Sequence, residues 1–199
     1  MKYVLLLIIM FASAAQAVTL EDVQKRFAEQ NSVRAEFTQE RRIKSINTPL
    51  ISTGKMILSR DNGLFWQQQS PFVTTLILRD DAMIQRIEGL PDQIITADSN
   101  PQMFQFNALL KALVKADKPL LEHNFTLNFL ALAQEKWQLT LTPTTTPLDK
   151  LFTEIQLQGD RVLNSVILID KQGDSTTIRF HAHQLTPATL TPDEVRHFE

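Results

Sequence analysis

The stretch SVRAEFTQ at residues 32–39 decides the fold class, because its apolar side chains recur at every second position. Val33, Ala35 and Phe37 alternate with charged or polar residues throughout the stretch. A period of two predicts a β-strand with one face buried and the other turned to solvent. We expect this strand to continue through residues 41–43.

Strand patterns recur along most of the remaining chain, separated by turn signals such as Asp61-Asn62-Gly63 and Gly159-Asp160. The further predicted strands span residues 51–59, 64–67, 73–79, 82–87, 93–97, 124–130, 136–142, 152–158, 162–170 and 175–183. A sheet of about eleven antiparallel strands must curl or close. The sequence therefore predicts a mainly β protein with some α, built on an open, curled antiparallel sheet.

One entry helix and one or two inserted helices are predicted beside the strands. Thr19 is suited to cap an entry helix, and Asp22 stands at the capping-box position three residues later. The clearest helical pattern runs from Phe104 to Ala116 and is predicted to end at residues 117–119. This apolar helix is expected to cover a sheet face or plug the mouth of the curled sheet. The Pro- and Thr-rich tail over residues 186–199 shows no periodic pattern, so no element is predicted there.

The N-terminus has the three parts of a secretory signal peptide. Lys2 precedes an apolar run over residues 4–15, and Ala15-Gln16-Ala17 is a small-x-small cleavage pattern. The run is too short for a transmembrane helix, and no polar face marks it as a buried N-terminal helix. We expect cleavage after Ala17, which leaves a single domain over residues 18–199 in an exported compartment, for which we favour the periplasm.

Composition excludes several classes of function. The chain has no cysteine, so it has no disulfide, no thiolate nucleophile and no cysteine for lipid attachment. Its net charge of −2 disfavours general nucleic-acid binding. The four histidines include His181 and His183 on one predicted strand, but no third metal ligand follows at a motif spacing.

A hydrolase is the main rival class, and the sequence offers it little. No Gly-x-Ser-x-Gly or His-Glu-x-x-His motif occurs, and five glycines leave little material for a phosphate loop. We therefore predict no catalytic residue, no metal and no cofactor. The basic cluster of Arg41, Arg42 and Lys44 is a solvated strand end or a docking patch for an acidic partner or lipid headgroup.

Three local patterns stand in an order that resembles the periplasmic lipoprotein carriers of the LolA-like family. They are SVRAEFTQ at 32–39, the stretch from Gly54 through Leu58-Ser59-Arg60, Phe65-Trp66 and Pro71, and Asn107-Ala108-Leu109-Leu110. The similarity covers about residues 18–185. The chain departs from the family pattern at Asp61, where a proline is expected, and at Leu64, where an aromatic residue is expected. The family's C-terminal strand motif is absent.

The resemblance implies a half-barrel with a helical lid over an apolar cavity that holds acyl chains. Such carriers take lipoproteins from an inner-membrane transporter to an outer-membrane receptor, and we expect a monomer. The resemblance also implies that Arg60 bonds the lid backbone and keeps the cavity closed until cargo arrives. The cavity and lid residues predicted in this way are Arg60, Leu64, Phe37, Met56, Leu58, Phe65, Trp66, Met103, Phe106, Leu109, Leu110 and Leu113.

Two alternatives within the same fold stay open. The chain is a carrier dedicated to a non-lipoprotein glycolipid or fatty-acyl product, or it is an envelope sensor that binds lipoproteins or peptides. Flexible methionine suits a cavity for varied acyl chains, and the chain has five Met and twelve Phe. Ordinary core packing accounts for such residues equally well.

Overall fold

The strand predicted from residue 32 onward lies in the middle of one large sheet. The computed structural model describes residues 17–96, 98–99 and 118–199. Its strands are β1 Ser32–Arg42, β2 Leu50–Ser59, β3 Gly63–Ser70, β4 Thr74–Leu78, β5 Ala82–Ile87, β6 Gln93–Thr96, β7 Phe125–Ala131, β8 Trp137–Pro143, β9 Phe152–Gly159, β10 Leu163–Asp170 and β11 Ser175–Gln184. The helices are α1 Leu20–Glu29, α2 Lys118–Asn124, α3 Leu148–Leu151 and α4 Pro192–Val195, followed by a 3₁₀ helix over Arg196–Phe198.

The eleven described strands form an open antiparallel sheet in the order β6-β5-β4-β3-β2-β1-β11-β10-β9-β8-β7. The prediction of an open antiparallel sheet of about eleven strands is therefore confirmed. Within the described residues, β6 and β7 are the two edges, and β1 pairs with β2 on one side and β11 on the other. The predicted helix over residues 104–116, expected to serve as the lid, lies outside the described residues.

Helix α1 begins at a complete capping box. The Asp22 N–H donates to Thr19 Oγ1 at 3.1 Å, and the Thr19 N–H donates to Asp22 Oδ2 at 2.9 Å. These bonds satisfy two backbone donors that the first turn leaves free. The Thr19 hydroxyl, which donates to Asp22 Oδ2 at 2.7 Å, and the Thr19 N–H together hold the pKa of Asp22 below its ordinary value. The predicted start of the entry helix at Thr19 is thus confirmed.

The sheet has two apolar faces, each covered by different elements. The helix face, on the side of α1, α2 and α3, carries a core around the residues of β7–β9; buried with them are Val23 of α1, Leu121 of α2 and Leu148 of α3. The tail face, on the opposite side, carries a second core over β2–β5, which Phe198 and Leu190 of the C-terminal tail complete. The tail is thus part of the folded core.

Two sequence predictions fail around these helices. Residues 118–124 form α2, although residues 117–119 were expected to end a helix. Pro119 is the second residue of α2, and proline is tolerated in a first helical turn because that turn does not need its N–H. The tail over residues 186–199, for which no element was predicted, contains α4 and the 3₁₀ helix.

The described helices are all short, the longest having ten residues. None of the helices in residues 17–96, 98–99 and 118–199 has the length and apolar character needed to cross a bilayer.

Candidate functional site

One row of apolar side chains crosses six strands on the helix face. Directly opposed residues in a sheet point to the same face, so the register defines the row. Its members are Val33, Leu58, Leu64, Leu78, Met83 and Ile95, one from each strand from β1 to β6. Val33 and Leu78 are buried, and Leu58, Leu64, Met83 and Ile95 are only half-buried. This row is a continuous apolar surface without a polar side chain.

A second row lies beside the first and contains the aromatic residues. Ala35, Met56, Trp66 and Leu76 oppose one another across β1–β4. Phe37 stacks on Trp66 with a centroid distance of 3.7 Å, and Trp66 meets Phe180 edge-on at 6.2 Å. The first row across β1–β6 and the second across β1–β4 give the helix face an apolar floor with a half-buried indole in it. On β5 and β6 the second row continues with Gln85 and Gln93.

Gly54 makes the position of the Phe37 ring possible. A Cβ at Gly54 would lie 2.6 Å from Phe37 Cζ and 2.0 Å from the Gln67 carbonyl oxygen. The absence of a side chain at this β2 position lets the ring lie over the backbone and reach Trp66.

The structure brings five of the sequence-predicted cavity residues together and separates a sixth. Phe37, Met56, Leu58, Leu64 and Trp66 all lie on the helix face. Phe65 lies on the tail face, where it stacks on His197 at 4.6 Å. Neighbouring residues of a strand point to opposite faces, so Phe65 cannot share the surface of Leu64 and Trp66. The predicted lid residues Met103, Phe106, Leu109, Leu110 and Leu113 lie outside the described residues.

Arg60 occupies the turn between β2 and β3 and is exposed. Its backbone N–H donates to the Asn31 carbonyl oxygen at 3.0 Å. Within the described part of the chain, its guanidinium makes neither a hydrogen bond nor an ion pair. The side chain is therefore positioned by the turn alone among these residues.

Arg34, which the sequence analysis did not single out, is the arginine held by a dense set of contacts. Its guanidinium is bidentate to Glu194, with Nη2 donating to Oε2 at 2.8 Å. It also donates to the carbonyl oxygens of Pro187 at 2.9 Å and Thr189 at 3.1 Å, and to Ser32 Oγ at 3.0 Å. The two paired side chains are only 12% and 17% exposed. Arg34 thus fastens the C-terminal tail to β1.

The Arg34–Glu194 pair has a clear electrostatic consequence. The hydrogen bond from Arg34 lowers the pKa of Glu194 to about 2, and Glu194 in turn raises the pKa of Arg34. Nearby on the tail, burial lowers the pKa of His197, and the charge of Lys55 adds to that effect. The tail is therefore held by the Arg34–Glu194 ion pair and by the stacking of His197, whose neutral form is favoured, on Phe65.

Two further groups of polar side chains lie outside the tail contacts, one at the end of α1 and one on β11. A pocket of about 470 Å³ lies at the end of α1 and is lined by charged residues such as Arg26, Glu135 and Arg161 together with the apolar Leu185 and Ala188. His181 lies 3.4 Å from a Glu36 carboxylate oxygen, and the His183 ring contacts the Leu163 carbonyl oxygen. Across residues 17–96, 98–99 and 118–199, no group of three metal-ligating side chains comes together.

Comparisons with known proteins agree with the fold. A family model described as outer membrane lipoprotein carrier protein LolA-like matches residues 12–190. No curated protein sequence matches the chain.

Two solved structures are similar in fold. One is a LolA superfamily protein from Nitrosomonas europaea, with 10% identity over 90% of this chain and 97% of that chain, and a TM-score of 0.47. The other is a chain of the Pseudomonas aeruginosa MucA/MucB complex, with 18% identity over 88% of this chain and a TM-score of 0.53. The matched part spans 60% of that Pseudomonas chain.

Proposed function

Because the chain belongs to the LolA-like family of outer membrane lipoprotein carrier proteins, we propose that it is a non-enzymatic carrier that shields the acyl chains of a lipoprotein or lipid. The observation that carries this proposal is the apolar row from Val33 to Ile95 on the helix face. It extends across six strands, and four of its members, Leu58, Leu64, Met83 and Ile95, are only half-buried.

The physical demand on such a carrier is the burial of long hydrocarbon chains. Each methylene removed from water stabilises the complex by about 0.8 kcal/mol, so a surface without polar side chains is needed along the chain's length. Met56 and Met83 add pliable side chains to the two rows, and such side chains adapt to acyl chains of different shape. We infer that the acyl chains lie along these rows.

The cellular setting follows from the same proposal. Residues 1–17 are proposed to be a cleaved signal peptide and residues 18–199 a single periplasmic domain that acts as a monomer. Cargo would pass from an inner-membrane transporter to an outer-membrane receptor. A carrier for a glycolipid or a fatty-acyl product would use the same apolar surface, and the identity of the cargo distinguishes the two.

The first test is native mass spectrometry of the protein purified from its own envelope, followed by organic extraction. We expect one acylated molecule per protein. An acylated peptide would identify a lipoprotein carrier, and a peptide-free lipid would identify the glycolipid or fatty-acyl alternative. A protein that carries no lipid and takes up no added fluorescent fatty acid would contradict the carrier proposal.

Leu58→Glu is expected to lower the affinity for a fluorescent fatty acid at least about tenfold, because it places a charge inside the apolar row. The matched control is Thr53→Glu on the exposed tail-face side of the same strand, which should bind as the parent does. Urea unfolding shows whether either variant has lost its fold, and Met56→Gln offers a neutral replacement in the second row. Equal uptake by the parent, Leu58→Glu and Met56→Gln would place the cargo elsewhere.

We further propose that Arg60 acts as the latch that the resemblance implies. Its guanidinium offers five donors and keeps its charge, so it is suited to bind backbone carbonyl oxygens. Arg60→Leu is expected to slow release of bound lipid several-fold in a transfer assay to acceptor vesicles, with Arg161→Leu as a control in another exposed turn. Release at the parental rate would rule out the latch.

An envelope binding module is the second candidate. It is favoured by the fold shared with a chain of the Pseudomonas aeruginosa MucA/MucB complex. Affinity capture from envelope extract would separate the two candidates. A sensor would retain a signalling protein in stoichiometric amount, and a carrier would retain acylated cargo and transport components.

A further inference from the structure

Three turns lie at the same end of the strands β1–β6 and expose apolar side chains there. Antiparallel pairing puts the β1–β2, β3–β4 and β5–β6 turns at the same end of their strands. We call this end of the strands the hairpin rim, defined by residues 43–51, 71–73 and 88–92. Its exposed large apolar residues are Ile46, Leu50, Ile51, Phe72, Val73 and Leu90.

The turns at the opposite end of the same six strands have a different composition. Its two turns, residues 60–62 and 79–81, contain Arg60, Asp61, Arg79, Asp80 and Asp81 and no large apolar residue. On the hairpin rim, by contrast, Phe72 is 76% exposed and Leu90 is 59% exposed. Neither contributes to the two described cores. A concentration of exposed apolar side chains at one end of a sheet is typical of an interaction surface.

The basic cluster of Arg41, Arg42 and Lys44 adjoins the rim, because Arg41 and Arg42 end β1 directly before it and Lys44 lies within it. Arg41 lies 4.0 Å from Asp174, and Arg42 pairs with Glu40. The Lys44 backbone N–H donates to Asp174 Oδ1 at 2.9 Å, and its ammonium group makes no ion pair within the described part of the chain. Lys44 therefore supplies a cation that no described carboxylate compensates, between Ile43 and Ile46.

We propose that the hairpin rim docks the protein on a lipid bilayer that contains anionic lipids. The apolar tips of the three turns and the basic residues at the β1–β2 turn match the interface of such a bilayer, where the apolar side chains enter the headgroup layer and the cations meet lipid phosphates. The β5–β6 turn also carries Glu88 and Asp92, and Asp92 is paired with Arg86. Phe72 and Leu90 stand on separate turn tips instead of lining a groove, which favours a soft planar surface over a protruding protein segment. The inference rests on the rim alone and does not depend on the carrier proposal.

Vesicle flotation tests the proposal. The protein should float with vesicles of phosphatidylethanolamine and phosphatidylglycerol, and the bound fraction should fall about tenfold in Phe72→Ser/Leu90→Ser because two apolar anchors are lost. The matched control is Leu132→Ser, which removes a 44% exposed leucine from the β7–β8 turn, far from the hairpin rim along the sheet. That control should float as the parent does. Urea unfolding and fatty-acid uptake should be unchanged in all three proteins.

Lys44→Glu tests the charge. It should reduce flotation with phosphatidylglycerol-containing vesicles several-fold and leave binding to phosphatidylcholine vesicles unchanged. Parental flotation of Phe72→Ser/Leu90→Ser, or no flotation of the parent, would overturn the proposal. So would a rim variant that changes only the sedimentation coefficient, since the rim would then join two copies of the chain. If the parent protein floats with the vesicles but takes up no fatty acid, that result would count against the carrier proposal alone.

Discussion

Replacement of Arg34 by alanine should lower the free energy of unfolding by about 3 kcal/mol, because it leaves Glu194 without its bidentate partner in a largely buried site. It also removes donors to the carbonyl oxygens of Pro187 and Thr189. With the tail loosened, Phe198 loses its fixed place in the core of β2–β5. Urea unfolding followed by circular dichroism measures the change.

The matched control for Arg34→Ala is Arg41→Ala on the same strand. Arg41 is exposed and lies 4.0 Å from Asp174, so its removal should cost no more than about 0.5 kcal/mol. Equal stability of the two variants would contradict the assignment of Arg34 as the anchor of the tail.

Acid should remove the contribution of this pair. The pKa of Glu194 is lowered from 4.5 to about 2 by the hydrogen bond from Arg34. A depressed pKa in the folded state means that the stabilisation is complete above about pH 4.5 and is lost as the pH falls toward 2. The stability difference between the parent and Glu194→Gln should therefore be about 2 kcal/mol at neutral pH, given the partial exposure of the pair, and narrow on acidification. A constant difference across this range would show that Glu194 is not the titrating group.

Gly54→Ala should be at least as damaging, with a loss of about 3 kcal/mol in the free energy of unfolding. Its Cβ would approach the Gln67 carbonyl oxygen to 2.0 Å, and a backbone atom of a paired strand cannot move aside cheaply. The Phe37 ring would also have to leave its stack on Trp66, so the tryptophan emission spectrum should change.

Gly89→Ala is the control for this substitution. Gly89 has a positive φ of 80°, but a Cβ there would meet no atom within 4 Å. It should cost about 1 kcal/mol from backbone strain and leave the emission spectrum unchanged. Comparable losses in the two variants would mean that close packing at Gly54 is not the cause.

The alternating pattern around Phe37 predicted the fold well, because burial on one face of a sheet imposes a period of two on the sequence. The same alternation places Leu64 and Trp66 on one face and Phe65 on the other. The resemblance to a family nevertheless grouped all three residues, since a motif records which residues recur and not where they point. Alternation within β3 separates Phe65 from the other two. Register, which follows from pairing between distant strands, was needed to show that Leu64 and Trp66 share the face of Val33.

The tail escaped prediction for a related reason. Arg34 and Glu194 are separated by 160 positions, and nothing in the local sequence of either marks the other as a partner. A local signal was present all the same. Thr191-Pro192-Asp193-Glu194 has capping-box spacing with proline at the first helical position, and both capping hydrogen bonds are formed.

The position of β1 in the middle of the sheet has a consequence for the order of folding. Phe37 opposes Gly54 on one side and Phe180 on the other, so β1 joins the earliest and the latest strands of the chain. During synthesis β1 can form a hairpin with β2 at once, but its second edge stays unpaired until β11 has been made. Closing such a long loop is slow, and the waiting edge can pair with other chains. Folding of this protein should therefore be slow, and aggregation should compete with it until the last strand has joined the sheet.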